Sequence, residues 1–183
     1  VRQGEFDEAK IACVNMMDLR YNSDLYNGET YSWFNEAFHL VKQFSTEGSY
    51  RLFPDRISLP TTISNGKQIE IAHRWNNSGW GYCPTNIPQW KNKYKVAFAL
   101  LDVKDDKPEY VFVDGEPEAC DWVKGTAKSY MFTTQIKGVR AGKYMWAVGI
   151  VDTTKQNEIG IRLAVKNNVT SAGWLKLFEV SVR

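Results

Sequence analysis

The chain has 183 residues, enough for one domain with a short appendage, and 43% of them are hydrophobic against 24% charged. This is the composition of an ordinary globular protein that can bury a core without disulfide staples. Its 23 basic and 21 acidic residues are interspersed and give a net charge of +2. No apolar stretch approaches the roughly 20 residues of a membrane span. Neither nucleic acid nor a membrane is therefore expected as a partner.

Three cysteines, Cys13, Cys83 and Cys120, are an odd number at wide spacing. That pattern disfavours a disulfide framework and a zinc site. A Cys83–Cys120 bridge is compatible with the sequence but not required by it. The chain starts at Val1 without an initiator Met or a signal peptide. We interpret it as a fragment or a processed form, from which no location follows.

The first 48 residues carry helical periodicity. Apolar residues at helical spacing predict a helix from Glu5 to about Leu19, and residues 21–24 read as a break. A second predicted helix follows Asn27-Gly28 and ends near Gly48, which occupies the position expected of a C′ glycine. The apolar positions of this second helix are Tyr31, Phe34, Phe38, Val41 and Phe44. Residues 1–48 are thus predicted to be a helical segment, compatible with the tail of a preceding barrel.

From residue 49 onward the hydrophobic period changes to two, which is typical of strands. Turn signals such as Asn65-Gly66 separate the apolar runs. The predicted strands are 50–59, 69–75, 94–103, 110–113, 129–136, 144–152, 160–165 and 174–182. Residues 78–93 read as a long loop. Seven or eight strands without intervening helices predict an antiparallel β-sandwich over residues 49–183, so that the whole chain is mainly β.

Catalytic signatures are largely missing from the sequence. It contains no G-x-S-x-G, no H-E-x-x-H and no phosphate-binding glycine loop. His39 lies within a predicted helix and His73 alternates with Trp75 in a strand, so neither is a good metal ligand. A glycosidase needs two facing carboxylates, but most acids here fall in turns or on a helix surface. We predict no catalytic residues, no bound metal and no cofactor, although a structural calcium is compatible with the sequence.

The most informative segment runs from Trp75 to Trp90 and places four large aromatic residues among glycine, asparagine and proline. Loop aromatics flanked by glycine have little scaffold to bury against, and a flat ring can stack on the apolar face of a sugar. The predicted stacking residues are Trp80, Tyr82, Trp90 and Trp122, with Asn77, Asn86 and Gln89 as hydrogen-bonding residues. In the alternative interpretation, Trp75 and Trp90 fill the core and only Trp80 or Tyr82 is exposed. Trp146 and Phe132 are predicted to be core residues.

Several short motifs resemble those of a known family. Residues 47–52 look like the closing helix of a (β/α) barrel running into a first sandwich strand. Trp75-Asn76-Asn77-Ser78-Gly79 resembles a "W-x-N-x-G" strand end. Residues 121–125 resemble a "W-x-P-G" loop and residues 141–144 a "G-x-Y" strand start. The chain from about Met16 onward is similar to a C-terminal domain of unknown function attached to bacterial glycoside-hydrolase-like barrels.

The resemblance implies a β-sandwich in an extracellular or cell-surface, polysaccharide-processing context, with an adjoining catalytic domain as partner. It supplies no catalytic residues, because a barrel's acids would lie upstream. The chain departs from the family pattern at Lys124, where the "W-x-P-G" loop has proline, and in the extra aromatics after Gly79. These departures favour ligand binding by the loop but weaken the transfer of family properties.

Three functions remain in competition. The first is a non-catalytic module that binds a polysaccharide or oligosaccharide, or that supports an enzyme acting on one. The second is a purely structural sandwich that braces a glycosidase-like barrel. The third is a small glycosidase or lyase. The sequence favours the first.

Overall fold

The computed structural model describes residues 1–18 and 29–183, of which residues 29 and 30 are described by their backbone only. Its first helix, α1, spans Arg2–Ile11, shorter than predicted. The helix stops because Cys13 takes a left-handed conformation with φ of 54°. The Cys13 and Val14 amides then bond back to the Lys10 and Ala9 carbonyls, which is the Schellman pattern. The predicted break at 21–24 and the Asn27-Gly28 signal lie outside the described residues.

The second predicted helix is two helices, α2 at Glu29–Glu36 and α3 at Phe38–Glu47. The interruption falls at Ala37, whose φ of −137° and ψ of 29° are not helical. The described part of the N-terminal segment therefore holds three helices rather than two. The end near Gly48 is confirmed, but for a different reason, because Gly48 is extended and Ser49 takes the left-handed conformation. A Cβ at Gly48 would collide with the Phe44 carbonyl oxygen and ring.

Nine strands follow in the described residues, one or two more than predicted. They are β1 (Leu52–Ser58), β2 (Thr62–Ile63), β3 (Gln68–Asn77), β4 (Tyr94–Asp102), β5 (Pro108–Asp114), β6 (Lys128–Gln135), β7 (Gly142–Asp152), β8 (Glu158–Ile161) and β9 (Leu175–Val182). A short 3₁₀ turn at Ala119–Asp121 precedes β6. The additional strand, β2, has only two residues, which is too short for its alternation to be recognised in a sequence.

The strands form two sheets. One has the order β1-β3-β6, and the other has the order β2-β9-β7-β4-β5, with β8 paired to the end of β7. All pairs are antiparallel except β2 and β9, which run parallel over two residues. The sandwich prediction is confirmed in outline, and the purely antiparallel prediction is wrong at this one pair.

The core lies between the sheets and is rich in aromatic side chains. Trp75, Trp122 and Trp146 are essentially inaccessible to solvent. The burial of Trp146 was predicted, and that of Trp75 agrees with the alternative interpretation in which it fills the core. The central strands β4 and β7 are buried on both faces, which explains why their sequences are nearly continuous apolar runs. On their second face Trp174 packs against small residues, and a Cβ at Gly149 would collide with the Ile159 side chain and lie tightly against that indole.

The helices pack onto one end of the sandwich through a separate cluster. Phe6 of α1 and Leu40 of α3 bury Trp80 of the long loop between them. The exposed side of the helical segment carries Tyr31, Phe34 and Phe38, three of the apolar positions of the second predicted helix. No helix in the described part of the chain is long and apolar enough to cross a membrane.

Candidate functional site

The outer face of the three-stranded sheet is set by the alternation of β3. Ile71, His73 and Trp75 point into the core, so Ala72 and Arg74 between them point outward. Across the strands, Ala72 stands opposite Ser58 and Met131, and Arg74 stands opposite Arg56 and Ser129. On this face three small side chains, those of Ser58, Ala72 and Ser129, therefore adjoin three long ones, those of Arg56, Arg74 and Met131.

This arrangement leaves a cleft of about 450 Å³ across the three strands. Its lining residues are Arg56, Ser58, Ala72, His73, Arg74, Glu116, Ser129, Tyr130 and Met131. The volume lies within the range of small-molecule sites. Ser58, Ala72 and Ser129 form the floor because none of them fills the space above the sheet. We refer to this feature as the outer cleft.

A β-bulge at Asp55 shapes the β1 side of the outer cleft. Pro54 and Arg56 face consecutive residues of β3, so Asp55 is the extra residue, and both Asp55 and Arg56 are exposed. Arg74 donates two hydrogen bonds to the Asp55 carboxylate, at 2.8 Å and 2.7 Å. These bonds hold the pKa of Asp55 below its usual value. In the described residues, the Arg56 guanidinium has no hydrogen-bond or ion-pair partner.

Beneath the floor lies a buried polar chain that resembles a catalytic dyad but cannot act as one. His73 shares a 3.0 Å hydrogen bond with Asp114, and the Trp75 indole donates to His73 Nδ1 at 2.8 Å. An indole N–H can only donate, so Nδ1 accepts and Nε2 carries the proton toward Asp114. Tyr130 stacks on the imidazole with ring centres 5.5 Å apart. Both ring nitrogens are used internally and none is open to a substrate.

Trp80 is not available to a ligand, contrary to the sequence prediction. Only 8% of it is exposed, and its indole meets Phe6 and Phe44 edge-on, with ring centres 5.4 Å and 5.6 Å apart. Its Nε1 donates to the Val14 carbonyl at 3.2 Å. The helical segment supplies the interior that the loop itself lacks, and Trp80 fills it.

The glycines beside Trp80 let the loop pack closely against the N-terminal segment. The amides of Trp80 and Gly81 each donate at 3.0 Å, to the carbonyls of Glu47 and Ser49 respectively. A Cβ at Gly79 would collide with the Ser49 carbonyl oxygen, and one at Gly81 would collide with the Asn15 side chain. Glycine is needed here for close backbone approach, not for display of the ring.

Trp122 and Asn77 are also buried, with 1% and 3% exposure. The prediction that they contact a ligand assumed that they are exposed, and they are not. Trp122 stacks on Trp75 at 4.8 Å and 10°, and its indole N–H donates to the Tyr130 hydroxyl. The Asn77 carbonyl oxygen accepts from the amides of Arg51 and Gly79, while its amino group donates to the carbonyls of Gly81 and Trp122. All four of its hydrogen bonds are used to fix the loop.

The four remaining predicted residues lie nearer the surface. Asn86 and Gln89 are exposed, and Tyr82 and Trp90 are half-buried. Trp90 packs against the core and meets Tyr94 edge-on, with ring centres 5.0 Å apart. Ligand contact by these four residues stays a prediction. Because Trp80 and Trp122 are buried, they do not form a flat aromatic surface together with these four.

The cysteines are unpaired in the structure. Cys83 is fully buried, and desolvation, followed by the nearby Cys120 thiol, raises its pKa to about 12. The backbone amide of Cys120 donates a hydrogen bond of 3.1 Å to the hydroxyl of Thr85, which lies in the same loop as Cys83. Within residues 1–18 and 29–183, no three His, Cys, Asp or Glu side chains are grouped so as to hold a metal ion.

Sequence reasoning missed the residues of the outer cleft. Arg56, Arg74 and Ser129 lie in ordinary strands and carry no motif. The signal that was present is the outward register of β3, in which Ala72 is too small to cover the sheet beside Arg74. Recognising it requires knowing that β1 and β6 flank β3, which their separation in the chain does not reveal.

Comparisons with known proteins give weak likenesses. No protein-family model and no curated protein sequence matches the chain. Among solved structures, a CARDB domain from Pyrococcus furiosus in complex with di-metal ions is similar, with 16% identity, a TM-score of 0.39 and coverage of 73% of this chain and 89% of that one. A Niemann-Pick type C2 protein from Japanese carpenter ant has 9% identity, a TM-score of 0.42 and coverage of 71% and 91%.

A β-glucosidase from Listeria innocua in complex with glucose is also similar, with 16% identity and a TM-score of 0.38. The match covers 73% of this chain but 16% of the enzyme. With TM-scores below 0.5, these likenesses establish neither a shared family nor a shared ligand. The attachment to a glycoside-hydrolase-like barrel remains a prediction from the motifs in the sequence.

Proposed function

We propose that this chain is a non-catalytic glycan-binding accessory module whose ligand occupies the outer cleft. The observation that carries the proposal is a concave face with unused hydrogen-bonding groups from β1, from β6 and from the loop before β6. In the described residues, the side chains of Arg56, Ser58, Glu116 and Ser129 have no internal hydrogen-bond partner. Such convergent polar groups around a small floor are typical of small-molecule sites.

The chemistry of the cleft suits a saccharide. Ser58 and Ser129 can donate to and accept from hydroxyl groups, Arg56 donates, and Glu116 accepts. Met131, with 55% of its surface exposed, offers a flexible apolar contact for the C–H face of a sugar ring. This combination takes the place of the aromatic stacking predicted from the sequence. The motif resemblance to domains of glycoside-hydrolase-like proteins supports a glycan over other polar ligands.

Two features favour binding without catalysis. Glycoside hydrolysis uses a pair of carboxyl groups flanking the scissile bond. Asp55, beside the cleft, is held ionised by Arg74, so it is a poor general acid, and Glu116 is the one acidic residue in the lining. The buried His73–Asp114 pair has no free nitrogen for a substrate. An extracellular setting and an adjoining catalytic domain are part of this proposal and rest on the motif resemblance.

The test fills the cleft without changing its charge. Ala72→Phe places a ring on the floor between Ser58 and Met131, and we expect it to abolish retention in affinity gels containing the polysaccharide that the unaltered protein binds. Thr133→Phe is the matched control, because it adds the same ring to the same exposed face outside the cleft lining. Equal retention of both variants would reject the outer cleft. Failure of the unaltered protein to bind any glycan in a broad array would reject the function.

A second candidate, bracing of a neighbouring domain, is favoured by the exposed aromatic side of the helices. Tyr31, Phe34 and Phe38 are 43–48% exposed, and the Phe34 and Phe38 rings stack at 5.6 Å. Soluble proteins seldom leave such rings grouped at the surface unless something covers them. Hydroxyl-radical labelling of Phe34 and Phe38, in this chain alone and joined to its neighbouring domain, decides the point. Protection on joining supports bracing, and unchanged labelling rejects it.

A further inference from the structure

From the charges around the outer cleft we infer that its ligand is an anionic glycan, with the carboxylate or sulfate group bound by Arg56. This inference rests on the proposed function and narrows it to a substrate class. It comes from the one cationic side chain of the cleft whose charge is not balanced within the described part of the protein.

Arg56 and Arg74 stand directly opposite each other on neighbouring antiparallel strands. Like charges in such a cross-strand pair repel each other and destabilise the sheet. Asp55 relieves the repulsion by binding Arg74 through two parallel hydrogen bonds. The guanidinium of Arg56 is left as the surplus charge of the pair, and an anion from outside can balance it.

The β-bulge is what makes this arrangement possible on one face. In a regular strand, consecutive residues point to opposite sides of the sheet. Because the bulge adds a residue, Asp55 and the adjacent Arg56 are both exposed on the outer side. Asp55 thus turns toward Arg74, and Arg56 lies at the edge of the cleft with its planar fork of donors free. That fork matches the two oxygens of a carboxylate or of a sulfate ester.

The cleft is electrically polarised along its length. Arg56 lies on β1, and Glu116 lies in the loop before β6. The strands β1 and β6 are two strand spacings apart, roughly 10 Å. Glu116 repels an anion at its own end and accepts hydrogen bonds from hydroxyl groups there. The ligand therefore carries its acidic group toward β1 and its hydroxyl groups toward β6. A uniformly neutral glycan leaves Arg56 without a partner.

The experiment uses matched oligosaccharides and isothermal titration calorimetry. The acidic probes are oligomers of galacturonate, mannuronate and glucuronate-containing hyaluronan, with a sulfated carrageenan oligomer for the sulfate arm. Fully methyl-esterified oligogalacturonate is the neutral control of the same backbone, beside cello- and xylo-oligosaccharides. The variants are Arg56→Gln and Arg56→Lys, with Arg162→Gln as an exposed arginine outside the cleft.

We expect at least one acidic probe to bind and its neutral counterpart to bind at least about tenfold more weakly. Arg56→Gln should weaken acidic binding by about 10- to 100-fold, as expected for a lost hydrogen bond to a charged group. Arg56→Lys should lie between that variant and the unaltered protein, and Arg162→Gln should match the unaltered protein. Unchanged melting temperatures identify the losses as binding effects.

The outcomes separate this inference from the proposed function. Neutral glycans that bind as tightly as acidic ones, with no effect of Arg56→Gln, overturn the inference of an anionic ligand. If Ala72→Phe abolishes that binding, the outer cleft remains the binding site. Binding of the sulfated probe alone supports the inference and assigns the sulfate. Binding of none of these probes overturns the anionic ligand, and failure to bind in the broad glycan array overturns the proposed function as well.

Discussion

Two regions of this molecule differ in whether a distinctive sequence coincides with an exposed surface. The loop after Trp75 carries the aromatic and glycine residues usually associated with sugar recognition, yet most of them lie inside the protein. The outer face of the β1-β3-β6 sheet has no distinctive sequence, yet it forms the cleft. The difference teaches that ring-rich loops are sites only when nothing else covers them, and here α1 and α3 cover Trp80.

The largest expected effect comes from Trp80. Trp80→Ala removes an indole packed between two helices and the loop, and should lower the free energy of unfolding by about 3–5 kcal/mol. Chemical denaturation measures it, with half-buried Trp90→Ala as a control of smaller effect. An unchanged stability for Trp80→Ala would mean that the indole is displayed to solvent after all.

The reactivity of Cys83 reports on whether the loop at residues 78–93 stays packed against the rest of the protein. With its pKa raised to about 12, roughly one thiol in ten thousand is ionised at pH 8, and the thiolate is the reactive form. Iodoacetamide at pH 8 should label Cys13 and Cys120 and leave Cys83 unlabelled, as read by peptide mass spectrometry. Labelling of Cys83 should rise as pH approaches 12, and in Trp80→Ala. Rapid labelling of Cys83 at pH 8 in the unaltered protein would contradict a closed loop.

Asn77 tests whether the loop is held by its internal hydrogen bonds. In Asn77→Asp a carboxylate oxygen faces the Gly81 and Trp122 carbonyls where an amino group donated before. The loss should be about 2–3 kcal/mol of unfolding free energy. Asn86→Asp, on the exposed part of the same loop, should change it by less than about 0.5 kcal/mol. Equal effects at the two positions would show that Asn77 has no special role.

The smallest effect belongs to the Asp55–Arg74 pair on the open face. Because the folded-state pKa of Asp55 is lowered, the stabilisation is present above its unfolded pKa and is lost as pH falls through the folded value. Asp55→Asn should lower the melting temperature by no more than about 2 °C at pH 7, since exposed pairs contribute little. The difference should vanish in strong acid. A larger loss at pH 7 would mean that the bulge itself depends on this pair.

Much of the fold follows from local pattern. Eight of the nine strands lie at or near predicted segments because each has a clear alternation or an apolar run between turn signals. The two-residue β2 has no pattern of its own, since it exists only as a pairing with the end of β9. The break at Ala37 was missed because alanine is a good helix former, and the interruption separates two helices that face different surroundings.

The site was harder to predict because it depends on contacts between distant segments. Trp80 reads as exposed until Phe6 and Phe44 are brought against it, across 74 and 36 residues of chain respectively. Conversely, Arg56 becomes noteworthy only when the register sets it opposite Arg74. Composition identifies which residues are unusual. It does not identify which of them face water.

The most direct test maps the ligand onto the protein. A ¹⁵N-resolved NMR titration with a glycan that binds should shift the amides of Arg56, Ala72, Arg74 and Ser129 and leave the indole signals of Trp80 and Trp122 in place. Shifts concentrated instead at residues 82–90, with the outer cleft silent, would contradict the account and return recognition to the loop.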